Sequence, residues 1–389
     1  MASRESDWRR EAENSILLKS VSHWREKPDR WFRGSYDRLP ETVRVNPMSE
    51  EKDWVESWLS GIGANRIPWF SGPGSAWEMP FERGSAEEEV KSLMSALHET
   101  GRITRQEAVS MLPVLALDPT PGQIILDLCA SPGSKTTQIC EHLGDSGAVV
   151  ANEVISGRVN TLVTNVQRHA SRTVLVVQHD GRHIPRVPGS GFDGVLVDVP
   201  CTGSGTTRKN PDVWGKWRPS SGRSLHSLQY DLLTRAIELT KPGGRVVYST
   251  CSLDPIENEA VVARVLAGGK VRVVPRGDSL SGVPSNPGMT NWPLLNDKGE
   301  LDNESKSEEY LIPTKDMAVS SQLNECLRVW NDEIGGGGFF LAVLERILED
   351  DDSGVINPFM SQKTIYDPES FPQPIDDKRE RELREVWGL

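Results

Sequence analysis

Two thiols in this chain stand where strands run out into loops, a placement suited to covalent chemistry. Cys201 lies in Leu196-Val197-Asp198-Val199-Pro200-Cys201-Thr202-Gly203-Ser204-Gly205, and Cys251 in Val246-Val247-Tyr248-Ser249-Thr250-Cys251-Ser252-Leu253. A thiolate is a soft nucleophile that can add to carbon 6 of a pyrimidine. The addition makes carbon 5 enamine-like and able to take a methyl group from a sulfonium. Cys251 has the richer setting. Asp254-Pro255-Ile256-Glu257 has the D-x-x-E form of a capping box with Pro at the first helical position. A helix N-terminus beside a thiol favours the thiolate. Cys201 follows the rigid Pro200 and precedes a Gly/Ser turn. After methyl transfer the proton on carbon 5 must leave and the bond to the protein must break. A second thiol opposite the base suits that step as base or relay. Asp198 is placed to hold the pyrimidine edge and help protonate its ring nitrogen. The bland alternative for either cysteine is a small buried hydrophobe at a strand end. Cys129, Cys140 and Cys326 are read as structural.

A third strand-to-loop junction comes earlier. Ile125-Leu126-Asp127-Leu128 leads into Cys129-Ala130-Ser131-Pro132-Gly133-Ser134-Lys135. Small residues let a backbone approach a ligand closely, and Ser134 is expected to cap the helix that follows. Glu153 ends the next strand, where a carboxylate takes both hydroxyls of a ribose. Asp180, after the third strand, is placed to meet the base of an adenosine. No G-x-x-x-x-G-K-[ST] occurs, which disfavours a nucleoside triphosphate. Gly189-Ser190-Gly191-Phe192-Asp193-Gly194 is a literal G-x-G-x-x-G, but it precedes a strand and opens no helix, so it is read as a turn. An adenosine site without a pyrophosphate grip fits S-adenosylmethionine better than NAD.

The elements that must position these residues follow a βαβ rhythm. Strands are expected over Ile124–Leu128, Ala148–Asn152, Thr173–Gln178, Gly194–Val199, Arg245–Ser249, Lys270–Val274 and Gly338–Glu345. Helices fill the gaps over Ser134–Leu143, Gly157–Ala170, Leu225–Thr240 and Pro255–Leu266. The fold class is therefore α/β, a seven-stranded, mostly parallel, doubly wound sheet. Ligands bind such sheets beyond the carboxyl ends of the strands. Residues 1–100 are expected to form a small α+β accessory domain, 101–348 the catalytic domain, and 349–389 a polar tail.

The chain has 389 residues, 37% of them hydrophobic, with a mean hydropathy of −0.44. No apolar run approaches the ~20 residues that span a bilayer, and no apolar leader follows Met1, so an intracellular, cytoplasmic location is expected. Five cysteines without a C-x-x-C pair argue against a disulfide framework and a zinc site. The net charge of −12 is uneven. Residues 301–389 carry 20 acids against 9 bases, a net of −11, which leaves about −1 for residues 1–300. Within that part, Arg208, Lys209, Lys216, Arg218 and Arg223 face one acid, Asp212. Screening confines exposed charge to ~8–10 Å, so such a strip can hold phosphates despite an acidic tail; a solvated loop is the alternative.

Taken together, the segments closely resemble the Nop2/Sun family of RNA (cytosine-5)-methyltransferases from about Gly101 through Leu344. The resemblance rests on Arg105-Gln106-Glu107-Ala108-Val109-Ser110-Met111, the 129–135 loop, Asp198-Val199-Pro200-Cys201-Thr202-Gly203, Ser249-Thr250-Cys251-Ser252 with Asn258-Glu259-Ala260, and Gly338-Phe339-Phe340. Arg105–Met111, Arg208-Lys209-Asn210-Pro211-Asp212-Val213-Trp214 and Ile256-Glu257-Asn258-Glu259-Ala260-Val261 make it most like the multisite tRNA-modifying branch. The resemblance implies Cys251 as nucleophile and Cys201 as release cysteine. It implies a cofactor pocket of Cys129, Ala130, Ser131, Pro132, Gly133, Ser134, Lys135, Glu153, Arg158, Asp180 and Asp198. Where the family often has Asp at the ribose position, this chain has Glu153. DNA cytosine-5 methyltransferases use a Pro-Cys nucleophile and carry Glu-Asn-Val; the Thr-Cys thiol here, without that segment, favours RNA. A monomer acting on RNA, most of all tRNA, is the expectation, with ribosomal RNA or an idle RNA-binding scaffold as rivals. Taking a base out of its stack costs a few kcal/mol. Arg208, Lys209, Asn210 and Arg218 are expected to offset this on the RNA backbone. Trp214 and Trp217 either stack on splayed bases or pack between loop and sheet.

Overall fold

A computed structural model describes residues 9–144, 146–275, 277–302, 308–348 and 381; the expected tail, 349–389, otherwise lies outside the described residues. The small sheet has β1 (Pro40–Val45), β2 (Asn65–Arg66), β3 (Ser75–Glu82) and β4 (Ile103–Arg105), all antiparallel in the order β2-β3-β1-β4. Val43, Val45, Trp77 and Met79 alternate inward from it and bury the apolar stripes of helices Lys52–Gly61 and Glu88–Glu99. Because β4 closes this sheet, the small lobe runs past residue 100, where the boundary was expected.

The large sheet contains β5 (Ile124–Asp127), β6 (Ala148–Asn152), β7 (Val174–Val177), β8 (Phe192–Asp198), β9 (Thr240–Thr250), β10 (Val271–Val273), β11 (Asn286–Pro287), β12 (Leu327–Val329) and β13 (Phe339–Arg346). The order is β11-β12-β13-β9-β8-β5-β6-β7, with β10 pairing β13. Strands β5 to β9 are parallel; β13 returns antiparallel against β9. All seven expected strands are present. Two short ones, β11 and β12, add to them from a stretch that reads as loop, because two or three residues are too few to show a period. Apolar runs such as Val195-Leu196-Val197 are buried on both faces, as a parallel sheet between helical layers requires. The chain moves outward from β5 to β6 and β7, then crosses back to β8. That switch point places the ends of β5 and β8 side by side.

Helices Ile16–Trp24 and Pro28–Gly34 do not join the small lobe. They pack on the large one through Leu17, Val21, Trp24 and Trp31 against Trp214, Trp217, Leu253 and Trp330. A buried polar seam joins the lobes. Arg44 of β1 is fully buried and donates to both Glu141 carboxylate oxygens, at 2.5 and 2.9 Å. His169 Nε2 lies 3.0 Å from the same carboxylate. Arg44 also reaches the Thr137 hydroxyl at 3.2 Å, in the helix Ser134–Leu143 that follows the 129–135 loop.

Candidate functional site

The parallel pairing of β8 with β9 sets Asp198 opposite Ser249, so the loops that leave these strands start together. The Sγ atoms of Cys201 and Cys251 end 3.2 Å apart. Gly205 completes the alignment. Its N–H donates to the Cys251 carbonyl and its carbonyl accepts from Gly338 N–H, both at 2.8 Å. A Cβ at Gly205 would sit 2.3 Å from Gly338 O, so only glycine allows three strand ends to be joined by their backbones. The hydrogen bond to Cys251, aided by burial, pushes the Cys201 thiol well above its ordinary value.

The helix expected from Pro255 begins at Glu259. Residues 255–258 form buried turns, and Asp254 accepts from Ile256 N–H at 2.9 Å. Glu257 closes no capping box; its carboxylate accepts from Thr202 and Ser252 instead. Burial, with Glu257 beside it, pushes Asp254 up to about 8. The cation near the thiols is Lys135. Its ammonium donates to Asp198 Oδ2 at 2.8 Å and Ser110 Oγ at 2.7 Å. Burial opposes its charge, yet the Asp198 carboxylate outweighs that and, with Cys251 adding to the effect, raises its pKa. Ser249 Oγ donates to the other Asp198 oxygen at 2.7 Å, which fixes the carboxylate.

The 129–135 loop turns at Gly133, whose φ of +109° is costly for any other residue; a Cβ there would also lie 3.0 Å from the Leu162 side chain. Gly133 occupies the N-cap position and Ser134 is already helical, so the expected serine cap does not form. Arg158 donates to Ser131 O at 2.8 Å and Asn165 to Pro132 O at 2.7 Å, bracing the loop against the helix Ser156–His169. Burial pushes Asp127 up to about 7; Thr136 donates to its Oδ2 at 2.7 Å, while the buried Oδ1 has no hydrogen-bond partner. Burial also raises the Cys129 thiol. Glu153 is buried after β6 and accepts from Ile155 N–H at 2.9 Å. Asp180 is clasped by Arg182, whose hydrogen bonds draw its pKa down to about 2.

These loops open on a cleft of about 520 Å³ between the lobes. Pro132, Gly133, Ser134, Lys135, Arg158, Asp198 and Cys251 line it from the large lobe, and Pro40–Thr42 with Ile103–Glu107 from the small one. Cys129, Ala130, Ser131, Glu153, Asp180 and Cys201 are not among its lining residues; Cys201 meets the cleft only through Cys251, 3.2 Å away.

The basic strip needs correction. Trp214 is fully buried and Trp217 nearly so, in edge and tilted contacts with Trp31 and Trp24, so neither offers a face for a base. Arg208 donates to the carbonyls of Asp37, Gly336 and Arg38 at 2.8, 3.0 and 3.0 Å, holding the chain that enters β1. Arg218 is spent on the carbonyls of Gly215 and Trp217. Lys209, Asn210 and Lys216 are exposed; Lys209 lines the cleft, while Lys216 pairs with Asp212 at 2.6 Å. The cleft also carries exposed Arg83 and Arg105, which form no local run of charge because they come from separate strands and turns of the small lobe. Ser110 and Ser249, which hold Lys135 and Asp198, carried no expected role although they lie in the 105–111 and 249–252 segments that carry the resemblance.

A family model described as 16S rRNA methyltransferase RsmB/F matches residues 114–345. The chain belongs to this family. It is 41% identical over 268 residues to a multisite-specific tRNA:(cytosine-C(5))-methyltransferase of Saccharomyces cerevisiae, covering 64% of this chain and 39% of that protein. It is 38% identical to a tRNA (cytosine(34)-C(5))-methyltransferase of Drosophila melanogaster, covering 74% and 43% respectively. The chain thus spans about two fifths of the length of these relatives. Among solved structures, a methyltransferase homolog protein from Pyrococcus horikoshii is 27% identical, with a TM-score of 0.63, covering 85% of this chain and 93% of that one. The family has the class of fold expected, a mostly parallel methyltransferase sheet with a lobe before it.

Proposed function

We propose that this protein transfers a methyl group from S-adenosylmethionine to carbon 5 of cytosine in RNA, with tRNA as the favoured substrate. The observation that carries the reading is the pair of sulfurs 3.2 Å apart, with Cys251 lining a cleft beside the 129–135 loop. The tRNA choice draws on the two relatives whose names specify tRNA.

The residues present fit the cofactor. Pro132, Gly133, Ser134 and Lys135 line the cleft, and the buried Asp127 Oδ1 at the foot of their loop lacks a partner. Residues 129–135, with Glu153 and Arg158, would hold it, while Asp180 would first have to loosen from Arg182. Bound there, the cofactor supplies an electrophilic methyl group. The protein's own groups do the rest. Cys251 adds to carbon 6 of the base, and Asp198, fixed by Lys135 and Ser249, holds the ring edge. Cys201, acting as the thiolate, takes the proton from carbon 5 and becomes the thiol; the electron pair of that carbon–hydrogen bond re-forms the 5,6 double bond and expels Cys251 as its thiolate.

Tritium transfer from labelled cofactor to bulk tRNA tests the activity. Cys251→Ala is expected to abolish transfer and trap no RNA. Cys201→Ala is expected to accumulate a protein–RNA adduct that survives denaturing electrophoresis. The opposite pattern reverses the two roles. A second reading, ribosomal RNA as substrate, is favoured by the wording of the family model and by a ribosomal RNA small subunit methyltransferase F of Escherichia coli, 40% identical over 57% of this chain. Transfer to 16S rRNA and not to tRNA would establish it.

A further inference from the structure

Glu257 is fully buried, and its carboxylate hydrogen-bonds to residues beside the two thiols. Its Oε1 accepts from Thr202 N–H at 2.9 Å and from Gln229 Nε2 at 3.0 Å. Its Oε2 accepts from the hydroxyls of Thr202 and Ser252. Gln229 also donates to Pro200 O at 2.9 Å. Both neighbours of Cys201 are thereby tied to one carboxylate, directly or through Gln229, and so is the residue after Cys251. Ser252 Oγ further accepts from Asp254 N–H at 3.1 Å and lies 3.0 Å from Ser204 Oγ, which itself accepts from Leu253 N–H. Within the large lobe this carboxylate is a reference point shared by both thiol loops.

Resting on the two-thiol reading above, we infer that Glu257 is a positioning residue that sets the release thiol against the nucleophile. Adduct formation needs only Cys251 and the base in place. Release needs Cys201 aimed at a proton on the neighbouring carbon, and misplacement by about 1 Å costs about 10²-fold. Loosening the Cys201 loop therefore slows release more than attack. Glu257→Gln keeps the volume but sets an amide donor against hydroxyl and amide donors.

The test uses the full chain with labelled cofactor and bulk tRNA, and reads turnover and adduct together. Glu257→Gln is expected to turn over about tenfold to a hundredfold more slowly. It should accumulate adduct between the wild-type and Cys201→Ala levels, with both cysteines intact. Thr202→Val, at a half-buried position, removes the hydroxyl bond to Glu257 together with the acceptor of Trp217 Nε1–H, keeps the Thr202 N–H bond to Glu257, and is expected to shift the same way by less; it decides the matter if the first variant does not fold. Folded variants that lose product without gaining adduct overturn the inference while the cysteine roles stand. If Cys201→Ala itself traps nothing, the cysteine assignment falls and the Glu257 role with it.

Discussion

The strip from Arg208 to Arg218 and the rim of the cleft are built from the same kinds of residue and used in opposite ways. In the strip, the guanidinium groups of Arg208 and Arg218 point at backbone carbonyls and two indoles fill a packed cluster. On the rim, Arg83 and Arg105 are exposed around an open cavity, joined by Lys209 as the strip's one contribution to it. A basic, aromatic stretch is thus no measure of nucleic-acid affinity; what counts is whether the chain has already used its donors and rings.

The largest test of this contrast is Trp214→Ala. Truncating a fully buried indole is expected to cost about 3–5 kcal/mol of stability, read as a fall in the thermal or denaturant midpoint. Loss of RNA binding at unchanged stability would return Trp214 to the role of stacking platform and break the contrast. Arg208→Ala comes next. It leaves three carbonyls without their donor and is expected to cost about 1–3 kcal/mol, with the salt dependence of RNA binding unaltered. A flattened salt slope at full stability would put Arg208 on phosphate after all. The smallest effect on the fold belongs to Arg105→Ala, whose exposed side chain makes only a 3.7 Å ion pair with Glu41 and a 3.5 Å contact to Ser95. Stability is expected to stay within about 0.5 kcal/mol, while the slope of log affinity against log salt drops by about 1. An unchanged slope would remove the rim from the RNA path.

How much could be read from the sequence divides along the same line. Strands β5, β6, β8 and β9 were legible because β-branched runs buried on both faces have few other fates, and the loops beyond them follow from parallel topology. The two thiols were found for that reason. Glu257 was misjudged as a helix cap: Asp-Pro-x-Glu satisfies a local rule, but a hydrogen-bonded network across 55 residues of sequence outcompetes it. The tryptophans of the strip were left undecided since their partners, Trp24 and Trp31, come from helices almost two hundred residues away. Periodicity records which way a side chain faces along its own element. It carries no information on which distant element arrives to cover it.

The seam at Arg44 has a practical consequence for anyone wishing to trim this protein. Excising the small sheet would take away the guanidinium and leave Glu141 without its cation on the helix that follows the 129–135 loop, with His169 of the helix Ser156–His169 as its remaining partner. Breaking a buried pair from one side costs about 3–5 kcal/mol, a large share of a typical domain's total stability. A minimal version should therefore keep the small sheet and, because Trp24 and Trp31 cover Trp214 and Trp217, begin upstream of Ile16 rather than at Gly101.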